Sequence, residues 1–337
     1  MRTYGLPYMG SKSKIAKHIV PLLPNANTFV DLFAGGGAVT HYAMTTNKYR
    51  HFIYNDLNPL MPKAFEMALN GEFENETRWI SREDFFRLRD TDPYVAICFS
   101  FGNNLSNYMY NKDIEPIKEA YHYAIFFGDY SLAKERMGID LTPLSKCAKI
   151  EDKYALLKRI VKSTPPIQSK QGCSRQRECG ESTMRFTELG EVQKAYWNFQ
   201  SLESHQRCIL PPPKNLEQGS IKRHLTDVIN FYSTDYQNVP IPQDSVVYCD
   251  IPYKDTGKYQ RHKKIEFDYE RFYDWAERQS QPVFISEYQM PEDRFTAIAE
   301  IKRTGTMSAT NNAEKVTERI FIPKHQKTII KRQLNLF

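Results

Sequence analysis

Residues 28–33, Thr-Phe-Val-Asp-Leu-Phe, run straight into Ala-Gly-Gly-Gly at 34–37, and this junction constrains the fold more than any other stretch of the chain. An apolar run of that length reads as a buried strand. Its carboxylate, Asp31, stands near the strand's C-terminal end, and the glycines let the backbone turn tightly. Ala38 to Lys48 then reads as a helix and His51 to Tyr54 as a second strand, closing on Asn55 and Asp56. Strand, glycine turn, helix and strand form the βαβ unit of nucleotide-binding sheets. The loop is not the dinucleotide fingerprint, because Ala38 to Thr40 supply no third glycine. Two readings stay open for it: a bare turn, and a shelf on which a flat polar ligand lies.

The α/β pattern resumes far downstream. Ser245 to Cys249 and Pro282 to Ser286 read as apolar strands, with an amphipathic helix, Asp268 to Arg278, between them. Residues 83–218 have another character, with helical stretches such as Glu151 to Lys162, aromatic clusters and no strand alternation. The chain of 337 residues therefore reads as an α/β core in two pieces, 1–82 and 219–337, holding a mostly helical insertion at 83–218. Within the insertion, Ser163 to Met184 is rich in Pro, Ser, Gly, Gln and Arg and reads as a basic loop. Glu318 to Ile322 and Thr328 to Lys331 suggest a closing antiparallel hairpin.

Several function classes are set aside. The N-terminal segment lacks the apolar core of a signal peptide, and the longest apolar stretch, near Ala120 to Phe127, is too short to span a bilayer. A soluble, cytoplasmic protein with no membrane partner is expected. The six cysteines lack CxxC pairs or zinc-site spacing, which points to reduced thiols and no metal. The net charge of +6 gathers in two clusters, one holding Arg175 and Arg177 and the other Lys254 and Lys258. Such runs serve either as solvated faces or as contacts for a polyanion.

The residues that carry chemistry sit where strands end. Asp56, about twenty residues past the glycines, is placed to accept from the two ribose hydroxyls of an adenosine; a helix cap before Pro59 is the competing reading, and both can hold together. Asp250, Ile251, Pro252 and Tyr253 close the strand at 245–249 and combine a carboxylate, a stiffened loop and an aromatic face. Methylation of an adenine amino group needs acceptors for both its hydrogens, because the nitrogen lone pair is delocalised into the ring. The Asp250 carboxylate and the Ile251 carbonyl are of the right kind, and Tyr253 offers a face to a flipped base. Alone, the tetrapeptide reads more readily as a surface turn. In Pro-Tyr-Met-Gly-Ser-Lys at 7–12, Tyr8 and Lys12 are suited to cover a nucleoside and meet a carboxylate, or to be a solvated basic end.

Taken in order, Pro-Tyr-Met-Gly-Ser-Lys, Asp-Leu-Phe-Ala-Gly-Gly-Gly, Asn-Asp-Leu-Asn-Pro and Cys-Asp-Ile-Pro-Tyr resemble the motifs of the Dam-type (D12 class) DNA adenine N6-methyltransferase family. The segment around Lys315, Lys-Val-Thr-Glu-Arg-Ile-Phe-Ile, resembles that family's closing strand. The resemblance implies a Rossmann-like S-adenosylmethionine-dependent methyltransferase core, with an inserted helical target-recognition domain. It implies a methyl donor held by Tyr8, Lys12, Asp31, Phe33, Gly35, Gly37, Asp56 and Asp250, and an adenine gripped by Asp250 to Tyr253. It also implies double-stranded DNA as partner, no metal, and a bacterial or phage-type setting in which a cognate restriction endonuclease is a partner the residues do not decide. Asn103, Asn104 and Tyr108 resemble an asparagine- and aromatic-rich stretch of the family's recognition region, which makes them base readers; the other reading is a helix-loop junction with satisfied amides. Arg175, Arg177, Lys254 and Lys258 would meet phosphates. Where the family has its first proline this chain has Ile251, whose assigned role needs only its backbone carbonyl. The competing functions are an inactive DNA-binding protein of the same fold, a cytosine N4-methyltransferase and, more distantly, a nicotinamide dehydrogenase.

Overall fold

A computed structural model describes residues 4–73, 75–163, 228–253, 267–304 and 315–327. In chain order its main elements are α1 (Ala16–Ile19), β1 (Thr28–Asp31), α2 (Ala38–Met44), β2 (His51–Asn55), α3 (Leu60–Leu69), α4 (Arg82–Leu88), α5 (Pro93–Cys98), α6 (Glu115–His122), α7 (Ser131–Met137), α8 (Ile150–Ser163), β3 (Ile229–Tyr232), β4 (Ser245–Asp250), α9 (Tyr269–Arg278), β5 (Val283–Glu287), β6 (Phe295–Thr304) and β7 (Lys315–Pro323). They fall into two compact units, residues 75–163 in one and the other described residues, with every strand, in the second.

The seven strands form one sheet in the order β3-β2-β1-β4-β5-β7-β6. Strands β1 to β5 run parallel, while β7 lies antiparallel between β5 and β6. β1 pairs with β2 on one side and β4 on the other, so the chain reverses its direction of travel across the sheet there. Ligands of open α/β sheets collect at such a point, beyond the strands' C-terminal ends.

Both faces of the sheet are covered, which explains why its central strands read as unbroken apolar runs. On one face Val30, Ile53, Val247, Cys249, Val283, Ile285 and Phe321 form a core with Phe272, Tyr273, Trp275 and Ala276 of α9. Those helix residues recur at spacings of three and four, and the Asp268 side chain caps the helix by accepting from Arg271 N–H at 3.0 Å. On the other face Tyr54 packs on Phe65 of α3, with ring centroids 4.8 Å apart. Aromatic residues make up 13% of the chain. Many of the described rings pack against one another, as Phe33, Tyr236, Phe267 and Phe272 do, so the abundance serves the core.

Some elements differ from the sequence reading. α2 ends at Met44 because the Thr45 and Thr46 hydroxyls donate to the Tyr42 and Ala43 carbonyls at 2.7 Å, side-chain bonds that compete with continued helix. β3 and β6 were not legible: β3 is a short edge strand, and β6 carries a bulge at Ala297/Ala299 that breaks its alternation. Glu318 to Ile322 is extended as expected, but its partners are β5 and β6; Thr328 to Lys331, the expected hairpin partner, lies outside the described residues.

The unit formed by 75–163 is helical and has its own core, including Tyr121, Ile125, Leu141, Leu144 and Leu157. Ser81 caps α4 and Asp92 caps α5, where Pro93 occupies the first turn. Among the described residues no helix is long and apolar enough to cross a membrane.

Candidate active site

The sheet's register gathers carboxylates at one end of one face. Asp31 pairs with Tyr54 on β2 and Tyr248 on β4. Asp56 and Asp250 each follow those partners by two residues, so strand alternation turns all three acids to the same side. Asp250 pairs with Ser286 on β5, and Ser286 with Ile320 on β7. Two residues before Ile320 on this antiparallel strand is Glu318, in phase with the others. Tyr248 and Ser286 share a hydroxyl hydrogen bond of 2.7 Å beneath the row.

The glycine loop is tied to this row. Asp56 accepts from Gly35 N–H and from Asn58 N–H, each at 2.8 Å, so it pins the loop and caps the following turn at once. Burial pushes its carboxyl up to about 6, against the pull of those two bonds. Asn55 ties the turn further, its amide donating to the Leu32 and Thr234 carbonyls at 2.9 and 3.1 Å. Gly37 has φ +67°, and a Cβ there would stand 2.3 Å from the Phe65 ring. Gly35, at φ +51°, would bring a Cβ to 2.9 Å from Tyr8, so the Tyr8 ring lies directly on the loop.

Asp31 is 1% exposed. One of its oxygens accepts from the Thr40 hydroxyl at 2.7 Å, and the other has no partner among the described residues. Burial raises its carboxyl to about 7, the Thr40 bond opposes this, and the charges of Asp250 and Asp56 add to it. An orphaned, buried carboxylate oxygen at a strand's C-terminal end is expensive unless a ligand completes it.

Lys12 Nζ lies 2.7 Å from Asp250 Oδ1 and 3.7 Å from Glu318 Oε1. The ammonium expected to meet a ligand carboxylate thus pairs with the strand-end acids, which a side chain only 4% exposed requires. It also stands 4.8 Å from the centre of the Tyr253 ring. The Tyr253 hydroxyl donates to Asp250 Oδ1 at 3.3 Å and, more closely, to Glu318 Oε1. Its ring rests against Tyr288, centroids 4.5 Å apart. Burial raises the Asp250 carboxyl, Lys12 lowers it, and Glu318 raises it. The Tyr253 hydroxyl is held far above its ordinary range by burial and the two acids, so it remains a donor.

Ile251 turns to the opposite face, where its side chain is 2% exposed within the α9 core. A buried isoleucine in place of a proline therefore adds packing at this loop. The loop is steadied by the Tyr269 hydroxyl, which donates to the Pro252 carbonyl at 3.0 Å. Phe33 packs edge-on into the aromatic cluster of Phe267 and Phe272.

Glu318 was missed as a site residue. The available signal was an acid in phase with Ile320 and Ile322, all three buried.

In the helical unit, Asn103 donates to the Ile97 carbonyl at 2.9 Å, and Asn104 Oδ1 accepts from the Ser106 and Asn107 amides, each at 2.9 Å. Tyr108 is buried and donates to the Ile80 carbonyl at 2.8 Å. These contacts hold their own loop, which includes positive φ at Gly102, Asn103 and Leu105 and turns Phe101 and Asn107 outward. Arg175, Arg177, Lys254 and Lys258 lie outside the described residues.

Residues 8–131 match the D12 class N6 adenine-specific DNA methyltransferase family. Over 61 residues the chain is 41% identical to "Modification methylase StsI" of Streptococcus sanguinis, a match covering 18% of this chain and 9% of that relative. The family match takes in Tyr8, Lys12, the glycine loop and Asp56, but stops short of Asp250 to Tyr253, which join these residues through the register of the sheet.

Proposed function

We propose that this chain transfers a methyl group from S-adenosylmethionine to the N6 amino group of an adenine flipped out of duplex DNA. The observation that carries the reading is the row of Asp31, Asp56, Asp250 and Glu318 at the sheet's switch point, matched among the described residues by the single ammonium of Lys12. Such an edge has a surplus of buried negative charge and favours a cationic ligand. When bound, S-adenosylmethionine supplies an electrophilic methyl group on a sulfonium. The orphaned oxygen of Asp31, the Asp56 carboxylate beside the loop, and the Tyr8 ring on Gly35 are the residues suited to hold it. A Cβ on Gly35 would strike the Tyr8 ring, so the bare glycine is what lets that ring lie on the loop.

For the target base, Asp250 accepts from the amino group as the nitrogen becomes tetrahedral, with the Ile251 carbonyl as second acceptor. Burial raises the Asp250 carboxyl, and the Lys12 ammonium 2.7 Å away pulls against that rise. The residues position and polarise, and no covalent enzyme intermediate is needed. Among the described residues no group of three or more His, Cys, Asp or Glu is arranged to hold a metal ion. Residues 75–163 are the candidate target-recognition unit, and a role as a modification methylase is consistent with the relative's name.

The test is transfer of labelled methyl from S-adenosylmethionine to mixed-sequence duplex DNA, followed by nucleoside analysis, with wild type and Asp250→Ala. N6-methyladenine from the wild type alone supports the reading. N4-methylcytosine would reassign the base, and donor binding without product would leave a DNA-binding protein with a methyltransferase fold.

A further inference from the structure

We propose that Glu318, on the antiparallel strand β7, is a positioning residue of the methyl-transfer site, fixing the Tyr253 hydroxyl and sharing Lys12 with Asp250. The inference rests on the function proposed above. It begins from where Glu318 stands: β7 is inserted between β5 and β6, and its register turns Glu318 to the face and end of the sheet occupied by Asp250. The side chain is fully buried. A glutamate so placed needs strong partners, and it has them in Tyr253 O–H and, at 3.7 Å, the Lys12 ammonium.

The consequence lies in what those partners touch. Tyr253 also donates to Asp250 Oδ1, the oxygen that Lys12 contacts at 2.7 Å. Asp250 Oδ1 is therefore held from two sides, and Glu318 anchors both holders. This leaves Asp250 Oδ2 as the oxygen for the target amino group, in an orientation set before any base arrives. Preorganisation of this kind is where such a site gains rate, because a misplacement of about 1 Å can cost roughly a hundredfold. Tyr253 has a second consequence: with its hydroxyl fixed, its ring cannot swing freely, and the angle it offers a base is set by Glu318 together with Tyr288. Among the described residues, the titratable and charged groups around Asp250 and Glu318 are Lys12 from the N-terminal segment, Asp31 of β1, Tyr248 of β4 and Tyr253 of the loop.

The experiment compares the full chain as wild type, Glu318→Gln, Tyr253→Phe and the double variant. It measures S-adenosylmethionine binding, thermal melting, and kcat and KM on methylatable DNA across pH. Glutamine preserves shape, so the fold and the donor dissociation constant should stay within about twofold of wild type while kcat falls about tenfold or more. The double variant should lose less than the product of the two single losses, because Glu318 acts in part through Tyr253. Removing the charge of Glu318 relieves its upward push on the Asp250 carboxyl, so the acid limb of kcat should move to lower pH in Glu318→Gln. Unchanged kcat, losses that multiply in the double variant, or a loss of melting temperature and donor binding matching the loss of rate would each overturn the assignment. A wild type that methylates no DNA overturns the underlying function as well, an outcome distinct from an active wild type indifferent to position 318.

Discussion

The acid row of the sheet and the Ser100–Tyr108 loop of the helical unit meet their hydrogen-bonding needs in opposite ways. In the loop, Asn103, Asn104 and Tyr108 give their polar groups to nearby backbone, and the result is a closed, self-supporting turn. At the row, Asp31 keeps an orphaned oxygen, and Lys12 serves both Asp250 and Glu318. Polar residues with the same look in sequence thus separate into those that build a loop and those whose demand the described residues leave unmet. Unmet demand is the mark of the second kind.

The largest test of this contrast is Asp250→Asn, which keeps the shape and removes the charge Lys12 answers. Methyl transfer should fall roughly a thousandfold with donor binding largely retained, as single-turnover assays would show; a loss under tenfold would place the chemistry elsewhere.

Next is the pH dependence of the free chain. Asp31 is raised to about 7 in the folded protein from 3.8, so the folded state favours its protonated form. That contribution is complete at acid pH and is lost as pH rises through 7, at a cost of a few kcal/mol, since each unit is worth about 1.4 kcal/mol. Melting temperature against pH should flatten over this window in Asp31→Asn. A cationic ligand reverses the preference: with Asp31 at about 7 and Asp56 at about 6, S-adenosylmethionine affinity should rise between pH 5.5 and 7.5 (an approximate window). An affinity flat with pH would mean the donor does not meet these acids.

A smaller effect is expected of Asp56→Asn, which keeps one acceptor for the Gly35 and Asn58 amides. Donor affinity should drop about tenfold by calorimetry, with kcat at saturation little changed. Smallest is Tyr108→Phe, which removes the hydroxyl bond to Ile80 and leaves that carbonyl short of a partner. Stability should fall by about 1 kcal/mol in denaturant unfolding, with the recognised DNA sequence unaltered. A changed sequence preference would make Tyr108 a base reader and erase the contrast between the two regions.

Much of the site was legible locally. The strand and glycine turn at 28–37, Asp56 at the end of the next strand, and the segment Asp250 to Tyr253 carry their signals within a few residues, because burial, turning and termination are local properties. For Asp56 the residues allowed a cap, and it accepts from Asn58 N–H in the turn before α3; its bond from Gly35 N–H was not legible. Less legible were the partners. Nothing near Lys12 in sequence announces Asp250, and nothing in Asn103 or Tyr108 tells whether backbone or solvent will receive its hydrogen bonds.

By itself the sequence determined an α/β sheet with a glycine loop at one strand end and a carboxylate-proline-tyrosine loop at another, since periodicity and turn chemistry act over neighbouring residues. Only the tertiary structure decided that β7 enters the sheet between β5 and β6 and so brings Glu318 onto Tyr253, 65 residues away along the chain. Long-range register is the reason: a strand's partners are chosen by the packing of the whole sheet, and a shift of one residue would have turned Glu318 to the opposite face.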